Sequence, residues 1–377
     1  MLHIELIDNL DAFIACEPAW NAVLSKSDMD FPWMSFEWTV FWWKMFGANC
    51  EMLVLVVKDD KEVVAIAPLM RKKIMFRGLP VTTIQFIANY FSNRAGMLVS
   101  DTADDVVPAV FDWIKTSKYR YDLLWLDFVP AHSRTNAQIS KILEKENPNH
   151  RVMQTVVSPY IKIDMDWQHY VKNLSRKFRN KINHMNNVFK KEGEPEIVEY
   201  TKENEINTAM AELLAISGNS WKCAEHTEIC NSEEKVMFYT EFARLAASRA
   251  WLKIRILKFQ NVPITFLYAT VYNNTLYIDK ISFDEKYKHL SPGLFLLISS
   301  IQQAFMNKYC CCELLGENEQ FKSKLTSLAV PHVKYWIYSN SVYGRLLYFI
   351  DKCVTAFLKP SAVPAAVDLQ TTEQQDV

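Results

Sequence analysis

A tandem α/β protein is the fold class this chain predicts: two units in series, each a mixed, mostly antiparallel sheet flanked by helices. Three observations lead there. The chain has 377 residues, more than one hydrophobic core usually organises, so two domains of roughly 150–200 residues are expected. Half of its residues are hydrophobic and 13% are aromatic, which supplies packed cores and excludes global disorder. One series of elements (strand, two helices, a hairpin of strands, helix, strand, helix, strand) reads twice along the chain, although the sequence itself does not repeat.

In the first half, residues 3–7 read as a strand, and 11–25 and 35–46 as helices. Strands at 52–57 and 63–69 flank the polar turn Lys58-Asp59-Asp60-Lys61, the pattern of a hairpin. Further strands are expected at 74–76, 82–87 and 96–99, then a helix at 103–116, a strand at 123–128, a polar helix at 136–146 and strands at 151–157 and 160–163. The second half gives helices at 203–217 and 232–247 and strands at 252–259, 264–272 and 276–282. A helix after Ser291-Pro292-Gly293 follows, then a strand at 310–314, a short helix near 320–325, a strand at 333–338 and a helix at 343–358. The expected division is 1–165, a degenerate first unit, and 166–358, a ligand-binding second unit. Residues 359–377, rich in Ala, Gln, Thr and acids, read as a disordered tail.

Between the halves, the run 171–191 holds seven Lys or Arg and no acid. Val171, Leu174, Phe178, Ile182, Met185 and Phe189 recur at helical spacing, with Lys172, Arg176, Arg179 and Lys190 on the opposite side. A basic amphipathic helix over 166–192 is expected, N-capped by Asp166. Solvated faces normally mix signs, so the lack of acids points to an anionic partner: a phosphate-bearing ligand or a membrane surface.

Charge and cysteine usage exclude other classes. Lys and Arg number 42 against 43 Asp and Glu, without the basic excess of a DNA-binding protein. None of the eight cysteines forms a Cys-x-x-Cys pair, so no metal site is expected and free thiols suit a reducing cytoplasm. The first residues carry acids where a signal peptide has a basic start. No run approaches the roughly 18–20 apolar residues that span a bilayer. A cytoplasmic protein is expected, with peripheral contact at the inner membrane face.

The most informative stretch is 277–307: an apolar strand, a loop ending in Ser291-Pro292-Gly293, and a helix. Pro292 suits the first helical position, and the small Ser291 and Gly293 allow a ligand to approach the free amides of the helix start. Lys288 adds a cation just before them.

The spacing Lys288-His289-Leu290-Ser291-Pro292-Gly293 resembles the Gln/Arg-x-x-Gly-x-Gly/Ala loop that holds the coenzyme A pyrophosphate in GCN5-related N-acetyltransferases. Other stretches fit the same comparison: Ser35-Phe36-Glu37-Trp38 with Phe41-Trp42-Trp43, Val64 to Leu69, Ser175 to Asn180, Trp221, and Gly316-Glu317 with Phe321-Lys322. Together they resemble the CelD-type acetyltransferase domain of that superfamily, akin to the FemAB transferases with two units in tandem. Where the family commonly ends in an aspartate and Tyr-Lys, this chain has Glu317 and Phe321-Lys322, which removes any catalytic hydroxyl at 321.

The resemblance implies direct transfer of an acetyl or other acyl group from acyl-coenzyme A to an amine, without metal. The acceptor it implies is a small molecule or an envelope polysaccharide or amino-sugar precursor. Lys288, Ser291, Pro292, Gly293 and Leu294 are the expected donor-binding residues, and Asp279, Lys280 and Glu317 the candidate catalytic groups. Trp221, Tyr277, Arg176 and Arg179 are the candidate substrate contacts. Strand alternation places Tyr277 and Asp279 on one face and Lys280 on the other. Two rival expectations stand beside this one: a FemAB-like aminoacyl-tRNA-dependent peptidyl transferase, and a non-catalytic envelope-biosynthesis adaptor.

Overall fold

Alternating apolar strands and capped amphipathic helices build the first unit in chain order. Strand β1 (Leu2–Ile7) leads through helices α1 (Leu10–Ala15), α2 (Glu17–Leu24) and α3 (Phe36–Phe46) to the hairpin β2 (Glu51–Asp59) and β3 (Glu62–Phe76). Then come β4 (Leu79–Phe86), the short β5 (Leu98–Val99), α4 (Val106–Thr116), β6 (Leu123–Pro130), α5 (Arg134–Glu146) and β7 (His150–Lys162). The second unit has α6 (Trp167–Asn173), α7 (Arg176–Glu192), β8 (Glu196–Tyr200), α8 (Ile206–Gly218), α9 (Trp221–Ala224) and α10 (Glu233–Ser248). It continues through β9 (Leu252–Phe259), β10 (Val262–Tyr272), β11 (Thr275–Phe283), α11 (Pro292–Met306), β12 (Cys311–Glu313), β13 (Ala329–Tyr338) and α12 (Val342–Phe357). The structure is a computed structural model and describes residues 2–101, 103, 105–193, 195–316 and 321–357. The expected tail at 359–377 lies outside them.

The double series is present, and its departures from expectation have local causes. The helix expected over 11–25 breaks at Cys16, because Pro18 belongs in the first turn of a new helix. The run 74–76 is the end of β3, not a separate strand. Likewise 151–157 and 160–163 form one strand, β7. The Pro159 carbonyl accepts from the Leu314 amide at 2.9 Å, so its missing N–H faces the place where β12 has already ended and costs no ladder bond. Strand β8 went unread because its alternation lasts only five residues.

All the strands join one sheet, in the order β1-β2-β3-β4-β6-β13-β7-β12-β11-β10-β9-β8, with β5 beside β3. Strand β13, late in the chain, lies antiparallel between β6 and β7, and β7 in turn lies against β12. The units thus exchange their last strands, and a cut at 165/166 divides chain order while the sheet runs across it. On one face, an aromatic core draws on both halves: Trp38 meets Phe242 edge-on at 4.9 Å, and Phe91 stacks on Phe238 at 3.8 Å. Such rings bury large areas and fix geometry, so the two units pack as one body.

The basic segment corrects one expectation. It forms two helices, not one: Asp166 caps α6 by accepting from the His169 amide, and Ser175 caps α7 by accepting from the Phe178 amide. Ser175 offers a competing cap in mid-segment, and Leu174 is extended between the two helices. The apolar stripe is as expected, with Leu174, Phe178, Ile182, Met185 and Phe189 buried against β9–β12 and α11.

Candidate active site

A cleft opens where two parallel strands stop pairing. Strands β11 and β12 pair only at Thr275↔Cys311, Leu276↔Cys312 and Tyr277↔Glu313. Beyond that vertex β11 continues to Phe283, while Leu315 and Gly316 turn away with positive φ. The opening is a cavity of about 170 Å³ lined by Asp279, Lys280, Ile281, Leu315 and Phe321, among others. A second cavity of about 260 Å³ adjoins it through Lys222, Ile281, Leu297 and Phe321, and reaches Gly293 and Leu294 at the start of α11.

The helix start is built as its sequence implies. Ser291 has left-handed backbone (φ 54°), the 3₁₀ turn before it ends there, and Pro292 opens α11. The first amide of α11 bonded back into the chain is that of Phe295, which donates to the Ser291 carbonyl at 3.1 Å. The Gly293 and Leu294 amides donate to no acceptor among the described residues, which leaves two free donors at the positive end of a 15-residue helix. A Cβ at Gly293 would stand 3.3 Å from Phe283 Cδ1, so glycine keeps the approach open.

A bulge sits at the reactive end. Tyr268 pairs with Lys280 and Ala269 with Ile278, so Asp279 is an extra residue in β11. Its carboxylate accepts from Asn93 Nδ2 at 3.4 Å. It also faces the Tyr239 hydroxyl; burial, together with this charge, pushes the Tyr239 phenol well above its ordinary range. The bulge corrects the expected alternation: directly paired antiparallel residues share a face, so Lys280 lies on the face of Tyr268 and Tyr277 rather than opposite them.

The other candidates divide. Trp221, 45% exposed, lines the second cavity, and Lys222 beside it donates to the Ile281 carbonyl at 3.0 Å. Tyr277, only 4% exposed, packs edge-on against Trp33 at 5.3 Å and forms a wall between the units. Lys288 is exposed, 3.5 Å from Glu285, and outside both cavities. Arg179 donates to the Lys172 and Leu174 carbonyls and closes the turn between α6 and α7. Arg176 is exposed at the first turn of α7. Glu317 lies outside the described residues.

Three cations unread in the sequence line the second cavity: Lys181 from α7, Lys222 and Lys324. Lys181 belongs to the acid-free run, so that run's charge does reach the cleft, through a residue other than the arginines singled out. Phe321 lines both cavities. Lys322 is buried and donates to the Leu315 carbonyl at 2.7 Å, which ties down the turn opposite β11. Among the described residues no group of three His, Cys, Asp or Glu is set to hold a metal, and no helix is long and apolar enough to cross a membrane.

A tandem mixed sheet with a splayed parallel pair and a free helix start defines a class, and comparison agrees. Residues 176–323 match the acetyltransferase (GNAT) domain family. FemX superposes with TM-score 0.59 at 10% identity, covering 91% of this chain and 100% of FemX. A conserved protein of unknown function from Bacteroides thetaiotaomicron VPI-5482 gives 0.55 at 13% identity, covering 89% and 100%. A tandem GNAT protein from the clavulanic acid biosynthesis pathway gives 0.52 at 9% identity, covering 90% and 100%. No curated protein matches the chain in sequence. Residues 176–323 are thus similar to a GNAT acetyltransferase domain, which supports an acetyltransferase, and the neighbours agree on the tandem fold. Binding of an acyl-coenzyme A is general to such domains, and the free amides, the glycine and the three lysines fit one.

Proposed function

We propose that the protein is an N-acyltransferase that moves an acetyl or other acyl group from acyl-coenzyme A to an amine on an envelope polysaccharide or amino-sugar precursor, working in the cytoplasm at the inner membrane face. The observation that carries the donor half is the pair of unused amides at Gly293 and Leu294, at the mouth of a cleft that leads to the β11 bulge. The acceptor half follows from the CelD resemblance.

The chemistry needs a held donor, a proton acceptor and donors for the oxyanion. The diphosphate lies on the start of α11, with Lys181, Lys222 and Lys324 as counter-charges. The pantetheine arm follows the edge of β11 that β12 has left open. The amine nitrogen forms a C–N bond to the thioester carbonyl, the C–S bond breaks, and the coenzyme leaves as a thiolate. Asp279 takes the amine proton, directly or through water, and the thiolate is protonated on release.

Calorimetric titration of the full chain with acetyl-coenzyme A tests the donor half. Saturable binding by wild type and its loss in Gly293→Glu are expected, since the new side chain adds bulk and negative charge at the amides. Wild type without binding heat, or Gly293→Glu with undiminished affinity, overturns it. Titration with tRNA in the same cell checks the aminoacyl-tRNA alternative.

A further inference from the structure

The connection after β4 in the first unit is the topological counterpart of the one that cradles the donor in the second. Strand β4 pairs in parallel with β6, as β11 does with β12, and each parallel pair is bridged by a helix. In the second unit that connection is short, from Asp284 to Ser291. In the first it is longer, from Ile87 to Asp105, and it leaves its own unit.

Its residues 90–94 contact three different elements around the second unit's site. The Tyr90 hydroxyl donates to Glu234 at 3.0 Å and Phe91 stacks on Phe238, so this end is clamped to α10. Asn93 reaches Asp279 at the bulge. Arg94 forms an ion pair at 2.8 Å with Glu313, which is partnered with Tyr277 at the vertex of the splay. Chain that would otherwise frame a ligand in its own unit is spent on framing the other unit's cleft.

We infer that Asn93 is a positioning residue for acyl transfer: the first unit supplies it in trans to the second unit's site, where it orients the Asp279 carboxylate toward the cleft. Asp279 stands on a bulge, off the ladder that holds its neighbours, so its direction is set by what surrounds it. Those surroundings are Asn93 from the first-unit connection, Tyr239 from α10, Tyr268 from β10 and Lys280 from β11, with Lys222 across the cavity. Asn93 alone comes from the first unit, so the first unit is part of the reaction centre. The inference rests on the acyl-transfer reading for the role of Asp279, while the contact itself is independent of any substrate.

The test follows Asp279 directly and needs no acceptor. The full chain labelled with ¹³Cγ-aspartate is observed by NMR at one neutral pH, with the Asp279 signal assigned by its absence in Asp279→Asn. Asn93→Ala, which removes the donor to the carboxylate, moves that signal while the other aspartate signals stay in place. Asn93→Ser, which keeps a donor, returns it toward wild type. Coincident Asp279 signals in wild type, Asn93→Ala and Asn93→Ser overturn the inference; should Asn93→Ala unfold, Asn93→Leu takes its place. Acetyl-coenzyme A calorimetry on the same samples separates the two readings. A wild type that fails to bind sinks the donor assignment and leaves the Asn93 coupling standing.

Discussion

Arg94 and Glu313 form an ion pair across the two units at 2.8 Å, with side chains 2% and 9% exposed. Arg94 also lies 4.3 Å over the Phe31 ring, while its Nε and the second Glu313 oxygen have no hydrogen-bond partner among the described residues. Burial raises the Glu313 carboxyl above its ordinary range, opposed by the guanidinium. Breaking a buried pair leaves an uncompensated charge, so Arg94→Met should destabilise the fold by about 3–5 kcal/mol in urea unfolding at neutral pH. Adding Glu313→Gln should recover most of the loss. The pH dependence has a definite sign. A carboxyl with a raised folded pKa contributes most below its unfolded pKa and loses that contribution as pH rises through the folded one. Arg94→Met should therefore be least impaired in acid and progressively worse above the ordinary carboxylate range. An impairment that did not vary with pH would show that removing Arg94 leaves the protonation of Glu313 unchanged.

His332 sits in the same buried region, 1% exposed, with Nδ1 at 3.3 Å from the Val156 carbonyl and Nε2 without a hydrogen-bond partner among the described residues. Burial first, and the nearby Arg94 charge second, hold its pKa down to about 4. A base whose folded pKa lies below its unfolded value takes up its proton more readily when unfolded. Stability is then lost as pH falls from about 6.5 toward 4, by about 3 kcal/mol across the window. In His332→Gln this part of the acid limb should be absent. Urea midpoints between pH 7 and 4.5 measure it, and a variant with the wild-type slope would assign the limb to other groups. Glu313 acts with the opposite sign in this window, so comparing Glu313→Gln with Glu313→Gln/His332→Gln, both of which keep Arg94, isolates His332.

The strand-and-helix series was legible in the sequence because each element carries its own period and its own cap: Ser35, Ser133, Ser175 and Ser232 all cap helices. Ser291-Pro292-Gly293 was legible for the same reason, since a helix start is a local feature. The exchange of β7 and β13 was not, because strand order depends on partners far apart in the chain. The bulge at Asp279 is one residue in a run that alternates acceptably without it, and only the partner β10 reveals it. Asn93 and Arg94 carried no signal at all: they sit in an irregular connection, and their partners lie about two hundred positions away. Lys181 was within reach, as the member of the acid-free run nearest the buried stripe that packs on α11.

The three cleft lysines give a prediction that separates charge from shape. Lys181 and Lys324 form no ion pair with a described residue and line the cavity at the start of α11. Each should add up to about 1 kcal/mol to binding of an anionic donor, because the site is open and water screens the charge. Lys181→Ala and Lys324→Ala should each weaken acetyl-coenzyme A binding about fivefold, and the double variant should show a shallower salt dependence than wild type. Lys288→Ala, outside both cavities, should leave affinity unchanged. If Lys288→Ala proved the most damaging, the donor would run over the outer surface of the loop rather than through the cleft.

Among the described residues Asp279 is the carboxylate that lines the cavity at the splay, on the bulge, and the proposed reading gives it the amine proton. Removing a general base typically costs about 10²–10⁴ in rate. Asp279→Asn keeps the shape and the contact with Asn93 while abolishing proton uptake. Its kcat for acyl transfer should fall by about 10² or more, while acetyl-coenzyme A affinity by calorimetry stays within about twofold of wild type. The split decides between roles. A carboxylate that only held the donor would raise KM and spare kcat, and one that only stabilised the bulge would lower the melting temperature together with both. Wild-type kcat in Asp279→Asn would remove it as the base and leave water, or a group outside the described residues, to take the proton.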